Sequence, residues 1–230
     1  MKKLCYIICA FCFLPTIANS AISAEELRAV LEENPEIIVN ALQKYEQKRH
    51  EIEAIKMDAL STMHLDELNS DKGLPYVGPK DAKVTIVEFF DFSCGYCKKI
   101  SPLIKQIIEN NPDIKVVFKP LTFVSDISKY EAEVAFVANE HGKFMDFYTN
   151  IMIAKVKTKA DVDDIALKIG LYKSDIEKGV KSGKFNKTLN EVSELTTTLN
   201  IQGVPTLFIN GKRINTMDYF AIQEEIDKSK

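Results

Sequence analysis

The chain has 230 residues, 46% hydrophobic and 27% charged, and carries a net charge of −3 at pH 7. That is room for one well-cored domain and an appendage. Mild acidity argues against nucleic acid or an anionic membrane as a partner, and no internal repeat or low-complexity segment stands out.

The first element is a leader. Met1-Lys2-Lys3 precedes an apolar stretch from Leu4 to Ile17 and then Ala18-Asn19-Ser20-Ala21, the pattern of a signal peptide cleaved after Ser20. The stretch falls short of the about 20 residues of a spanning helix and contains Pro15. No lipobox precedes Cys5, Cys9 or Cys12. Residues 1–20 are therefore expected to be removed on export to an oxidising compartment, where disulfides form and persist.

Residues 21–69 read as an N-terminal helical segment. Ser23-Ala24-Glu25-Glu26 has the form of a capping box, with Leu27, Val30 and Leu31 at helical spacing to about Glu33. Asn34-Pro35 offers a new N-cap and N1 proline, opening a longer helix in which Ile38, Leu42, Tyr45, Ile52, Ala59 and Met63 form a seam interrupted by Arg49 and Lys56. Such a stripe needs its own domain or a partner chain to cover it, and pairing of identical chains is expected. Residues 70–82, with Gly73, Pro75, Gly78 and Pro79, read as a linker.

The main folded domain is expected over 83–230. Thr85 to Phe92 is a buried strand, and Cys94 to about Asn110 a helix that Pro102 should kink. Ile114 to Lys119 is a second strand. The pattern is then helical to about Asn200, and strand character returns at Thr206-Leu207-Phe208-Ile209. Asn210-Gly211 makes a hairpin turn into Arg213-Ile214, and a last helix runs from Met217 to about Lys228.

Cys94-Gly95-Tyr96-Cys97 falls at the strand-to-helix junction, with no other cysteine outside the leader. Two intervening residues put both sulfurs on one helical turn, the first at the N-terminus, where free N–H groups favour a thiolate. Half of a zinc site is the rival reading, but His50, His64 and His141 are scattered singly and no second Cys pair completes it. Cys94 is thus the expected nucleophile and Cys97 the resolving thiol, with no metal and no cofactor. Lys98 and Lys99 read as solvated helix residues.

Strand, redox helix, strand, helical insert, hairpin and final helix make an α/β plan with unevenly distributed helices. It resembles a thioredoxin fold with a helical insertion at about 127–200. Over roughly residues 75–230 the chain is similar to the DsbA family of exported thiol-disulfide oxidoreductases. The likeness rests on Val87-Glu88-Phe89-Phe90-Asp91-Phe92-Ser93-Cys94-Gly95-Tyr96-Cys97, on Gly203-Val204-Pro205-Thr206 and on Phe208-Ile209-Asn210-Gly211. With its helical extension the whole looks most like the Com-type and ScsC-like branch, whose members can oligomerise through that extension.

The resemblance implies a periplasmic enzyme that forms or reshuffles disulfides in cysteine-containing exported proteins. It also implies a membrane redox partner, either a DsbB-like oxidase or a DsbD-like reductase. A cis Val204-Pro205 bond would face the sulfur and present the Val204 backbone to substrate, while Gly95 and Tyr96 tune the pair. Glu88, six residues before Cys94, matches the family's buried acid and would exchange a proton with Cys97. With no cation between the cysteines the pair should be a weaker oxidant than relatives with a histidine there. Isomerase action is favoured if the extension oligomerises; the alternatives are a monomeric DsbA-type oxidase and a non-catalytic chaperone or surface protein on the same fold.

Overall fold

Residues 22–230 are described by the structure, a computed structural model. The expected leader, with Cys5, Cys9 and Cys12, lies outside the described residues. The chain divides into two units after His50, and among the described residues no helix is long and apolar enough to cross a membrane.

In the first unit, α1 (Ala24–Glu33) opens with the reciprocal capping box: the Glu26 N–H donates to Ser23 Oγ at 3.2 Å, and the Ser23 N–H to Glu26 Oε2 at 2.9 Å. This satisfies two N–H groups the helix leaves unpaired. Asn34 closes α1, and after Pro35 the chain enters α2 (Glu36–Met63). Burial is missing here. Leu27, Val30, Ile37, Ile38, Val39, Leu42 and Tyr45 all stand largely in solvent, from 46% exposed at Ile37 to 64% at Tyr45.

The second unit, Glu51–Lys230, takes in the end of α2 and everything after it. Met57 and Leu68, the latter on α3 (Leu65–Asn69), are buried in its core. The Ser61 hydroxyl donates to the Gly211 carbonyl. Residues 51–69 therefore pack with the redox domain, whereas sequence placed the division at 69, where the glycines and prolines begin. The segment expected as a linker also differs. It holds β1 (Tyr76–Val77), which pairs antiparallel with β3 (Lys115–Pro120), and the buried Leu74. Two residues between Pro75 and Gly78 are too few for any periodic signal.

The sheet is ordered β1-β3-β2-β4-β5, with β2 (Thr85–Phe90), β4 (Thr206–Ile209) and β5 (Lys212–Ile214) completing it. Only the β2/β3 pair is parallel; the others are antiparallel. Strand β2, flanked on both sides and buried throughout, reads as an apolar run because neither face meets water. Its edges are short: two residues at β1, three at β5. The β4–β5 turn uses Asn210 at φ 46° and Gly211 at φ 87°, the left-handed pair this hairpin requires. The Asn210 side chain also accepts from the Thr85 N–H at 2.8 Å and donates to the Lys83 carbonyl at 3.1 Å, pinning the start of β2.

Between β3 and β4 lies the insert: α5 (Ser128–Glu140), α6 (Phe144–Ile153), α7 (Lys159–Lys168), α8 (Lys173–Lys181) and α9 (Asn186–Thr198). Phe90, Phe92, Phe118, Phe144, Phe147 and Tyr148 form one aromatic cluster at the joint of sheet and insert, with Phe118 and Phe144 centroids 4.7 Å apart. The final helix is α10 (Tyr219–Ser229).

Candidate active site

Strand β2 ends in a turn that delivers Cys94 to the N-cap of α4 (Gly95–Asn110). The carboxylate of Asp91 builds that turn. One oxygen accepts from the Ser93 N–H at 2.9 Å and the Ser128 hydroxyl at 2.8 Å; the other accepts from the N–H groups of Phe123 and Val124, both at 3.1 Å. Four donors hold one buried carboxylate, joining the turn to the loop after β3 and the start of α5. Helix α4 tolerates Pro102 because Ser101 supplies a substitute: its hydroxyl donates at 3.0 Å to the Lys98 carbonyl that the proline cannot pair.

Both cysteines are free. The Cys97 N–H donates to Cys94 Sγ at 3.5 Å, and the Cys94 thiol donates to the Val204 carbonyl at 3.6 Å. The Val204–Pro205 bond is cis, and Thr206 Oγ1 donates to the Gly203 carbonyl at 2.8 Å within the same turn. Cys94 and Val204, 110 residues apart in the chain, are thus brought together, with Cys97 and Pro205 beside them. Gly95 has open space where a side chain would project, and Tyr96 is exposed with the Lys99 amine 5.0 Å from its ring centroid.

Cys94 retains 8% of its surface and Cys97 none. Burial drives the Cys97 thiol above the usual thiol range, and the charges of Cys94 and Glu88 add to the shift. Glu88 sits on the central strand, paired on both sides, and is fully buried. Burial pushes its carboxyl up to about 8, against the opposing pull of the Tyr148 hydroxyl, which donates to it at 3.1 Å. Tyr148 was not readable as a site residue: it comes from α6 and looks like one more apolar position on that helix.

Lys98 is only partly solvated. Its amine donates to the Ala154 carbonyl at 2.8 Å and the Ile151 carbonyl at 3.4 Å, capping α6, and burial holds its ammonium below the ordinary lysine value. Sequence also gave no sign of Glu131. This fully buried residue of α5 accepts from the Ser93 hydroxyl at 2.7 Å.

A thiol that reaches the surface at a helix N-terminus, a second sealed behind it, and a proton-holding acid below can exchange electrons with a disulfide presented along the Val204 loop. The thioredoxin family model matches residues 70–228. Disulfide bond formation protein D of Bacillus subtilis is 29% identical over 177 residues, covering 69% of this chain and 78% of that protein. A linker-deletion variant of Proteus mirabilis ScsC superposes with a TM-score of 0.65 at 25% identity, over 92% of this chain and 98% of that one. The Na(+)/H(+) antiporter NhaA 1 of Salinispora arenicola is 27% identical over 139 residues, 59% of this chain, which spans only 21% of that relative's length.

Proposed function

Since the chain belongs to the thioredoxin family, we propose that it is an exported thiol-disulfide oxidoreductase of the DsbA type, working through Cys94 and Cys97. The observation that carries this reading is the asymmetry of the two free thiols: Cys94 on a helix N-cap, keeping 8% of its surface and lying 3.6 Å from the Val204 carbonyl, and Cys97 wholly buried.

In the reducing direction the Cys94 thiolate attacks one sulfur of a substrate disulfide; that S–S bond breaks, one substrate thiolate leaves, and a mixed disulfide forms. Cys97 then gives up its proton and attacks Cys94 Sγ, releasing the second substrate sulfur and leaving the Cys94–Cys97 disulfide. The high proton affinity of Cys97 makes this step dependent on an acceptor, a role assigned to the ionised form of Glu88, the minor form below about pH 8, with Tyr148 orienting its carboxyl. Oxidation of substrate is the same sequence reversed. Gly95 and Tyr96 flank the attacked sulfur, and Val204 with Pro205 seats the extended substrate.

The substrates are cysteine-containing exported proteins in the periplasm, and the pair is recycled by a DsbB-like oxidase or a DsbD-like reductase. The uncovered apolar side chains of residues 22–50 support pairing of identical chains through the extension. Isomerisation is favoured over simple oxidation in that assembly, because a second active site close by raises the effective concentration for repeated attack. Thiol trapping of Cys94 and Cys97 in cells tests the direction: a mainly reduced pair fits an isomerase, a mainly oxidised pair an oxidase. Replacing Cys94 with Ala should abolish insulin reduction; retained activity sinks the dithiol reading.

A further inference from the structure

Glu131 is the buried ionisable group beside the active site that the mechanism above leaves unused. It stands on the first turn of α5 with no exposed surface. Its Oε2 accepts from the hydroxyl of Ser93, the residue before Cys94, at 2.7 Å, while Oε1 is buried with no hydrogen-bond partner. Such an arrangement costs stability, since a buried carboxyl oxygen left unpaired loses the water it had. Shape does not require it. The turn is already held by Asp91 through four donors, and the Cys94 N–H donates to the Asp91 carbonyl at 3.0 Å.

The charged groups felt at Glu131 are Lys98, on α4 next to Cys97, and Asp91, just beyond β2; Lys98 favours the carboxylate and Asp91 opposes it. Lys98 is fixed in turn by its bonds to the end of α6. An acid from the insert and a base from the redox helix thus flank the tetrapeptide that holds both thiols.

We propose that Glu131 is a positioning residue for Cys94, bonded to the hydroxyl of Ser93 one residue before the nucleophile and, when ionised, placing beside that turn a negative charge that Lys98 opposes, so that the pair sets how readily Cys94 reacts. This rests on the reading of Cys94 as nucleophile. A negative charge there disfavours the thiolate and a positive one favours it. The consequence for exchange is direct: neutralising Glu131 makes Cys94 a better attacking and leaving sulfur and the disulfide a stronger oxidant. Burial, the larger cause, raises the Glu131 carboxyl above the ordinary range, so the wild-type site moves toward the same neutral state as pH falls.

The test is the pH profile of Cys94 alkylation in the reduced full-length protein, with a glutathione equilibrium alongside. Glu131→Gln keeps an oxygen for Ser93 and removes the charge. Its alkylation at neutral pH should be faster by about threefold or more, with the profile displaced to lower pH, converging on wild type in acid, and its glutathione equilibrium should shift toward the dithiol. Lys98→Gln should displace the profile the other way. An unmoved Glu131→Gln profile, or displacement of both variants in one direction, overturns the proposal; if Glu131→Gln does not fold, Lys98→Gln decides it by the sign of its displacement alone. A wild-type protein that fails to reduce insulin sinks the dithiol reading instead.

Discussion

Cys94 and Cys97 differ in one respect that chemistry can read directly: only the first has any surface, and burial raises the proton affinity of the second. Limited iodoacetamide treatment of the reduced protein should therefore label Cys94, and mass spectrometry showing predominant label on Cys97 would reverse their roles. Glu88 gives a second prediction, in stability. Its carboxyl titrates near 4.5 when unfolded and at about 8 when folded. Between those values the folded chain holds a proton that the unfolded chain has released, so stability falls as pH rises through that window and levels off above it. Glu88→Gln should lack this decline. Urea unfolding from about pH 5 to about pH 9 should show the two proteins diverging by on the order of 4 kcal/mol; parallel curves would place the Glu88 titration elsewhere. The dithiol and Glu88 were legible because their signals are local: a three-residue spacing and one acid in an apolar strand. Tyr148 and Glu131 come from the insert and meet Glu88 and Ser93 only through the fold, 60 and 38 residues apart in the chain.

Among the elements, those with a chemical punctuation mark or a sustained apolar run, such as β2 and β3, were readable and those with neither were not. The capping box at Ser23 and the left-handed turn at Asn210-Gly211 each demand particular residue types, and the structure has both. Strand β1 has only two residues and no such mark; what fixes it is the glycine after it. Gly78 has φ 93°, and a Cβ there would lie 1.9 Å from the Ile114 carbonyl oxygen. That neighbour is backbone and leads into β3, so it has little room to yield. Gly78→Ala should destabilise the protein by about 2–4 kcal/mol, combining left-handed strain with overpacking. Thermal or denaturant unfolding measures it, and a loss under half a kcal/mol would mean that the β1 turn yields freely.

For the molecule as a whole, sequence suggested cutting the extension at residue 69, because the glycines and prolines mark that point. The burial of Met57 and Leu68 and the bond from Ser61 to Gly211 move the cut to residue 50. Composition could not reveal this, since α2 keeps the same charged character on both sides of His50. Removing residues 1–50 should leave a folded protein that reduces insulin, because the second unit keeps its own core. If the uncovered stripe pairs subunits, light scattering should show a monomer for the shortened chain and an oligomer for the longer one, and refolding of scrambled substrates should weaken with it. A longer chain that is already monomeric at micromolar concentration removes the preference for isomerase over oxidase.

The brevity of the sheet's margins bears on the company this protein keeps. On the proposed activity the protein would work among incompletely folded polypeptides, which pair with any open row of backbone groups. Strand β1 offers two residues before Gly78 and Pro79, and β5 offers three, two of them the cations Lys212 and Arg213. Neither is long enough to seed fibril growth. On that proposal, client chains would be left to the Val204 loop, where engagement ends with the sulfur exchange.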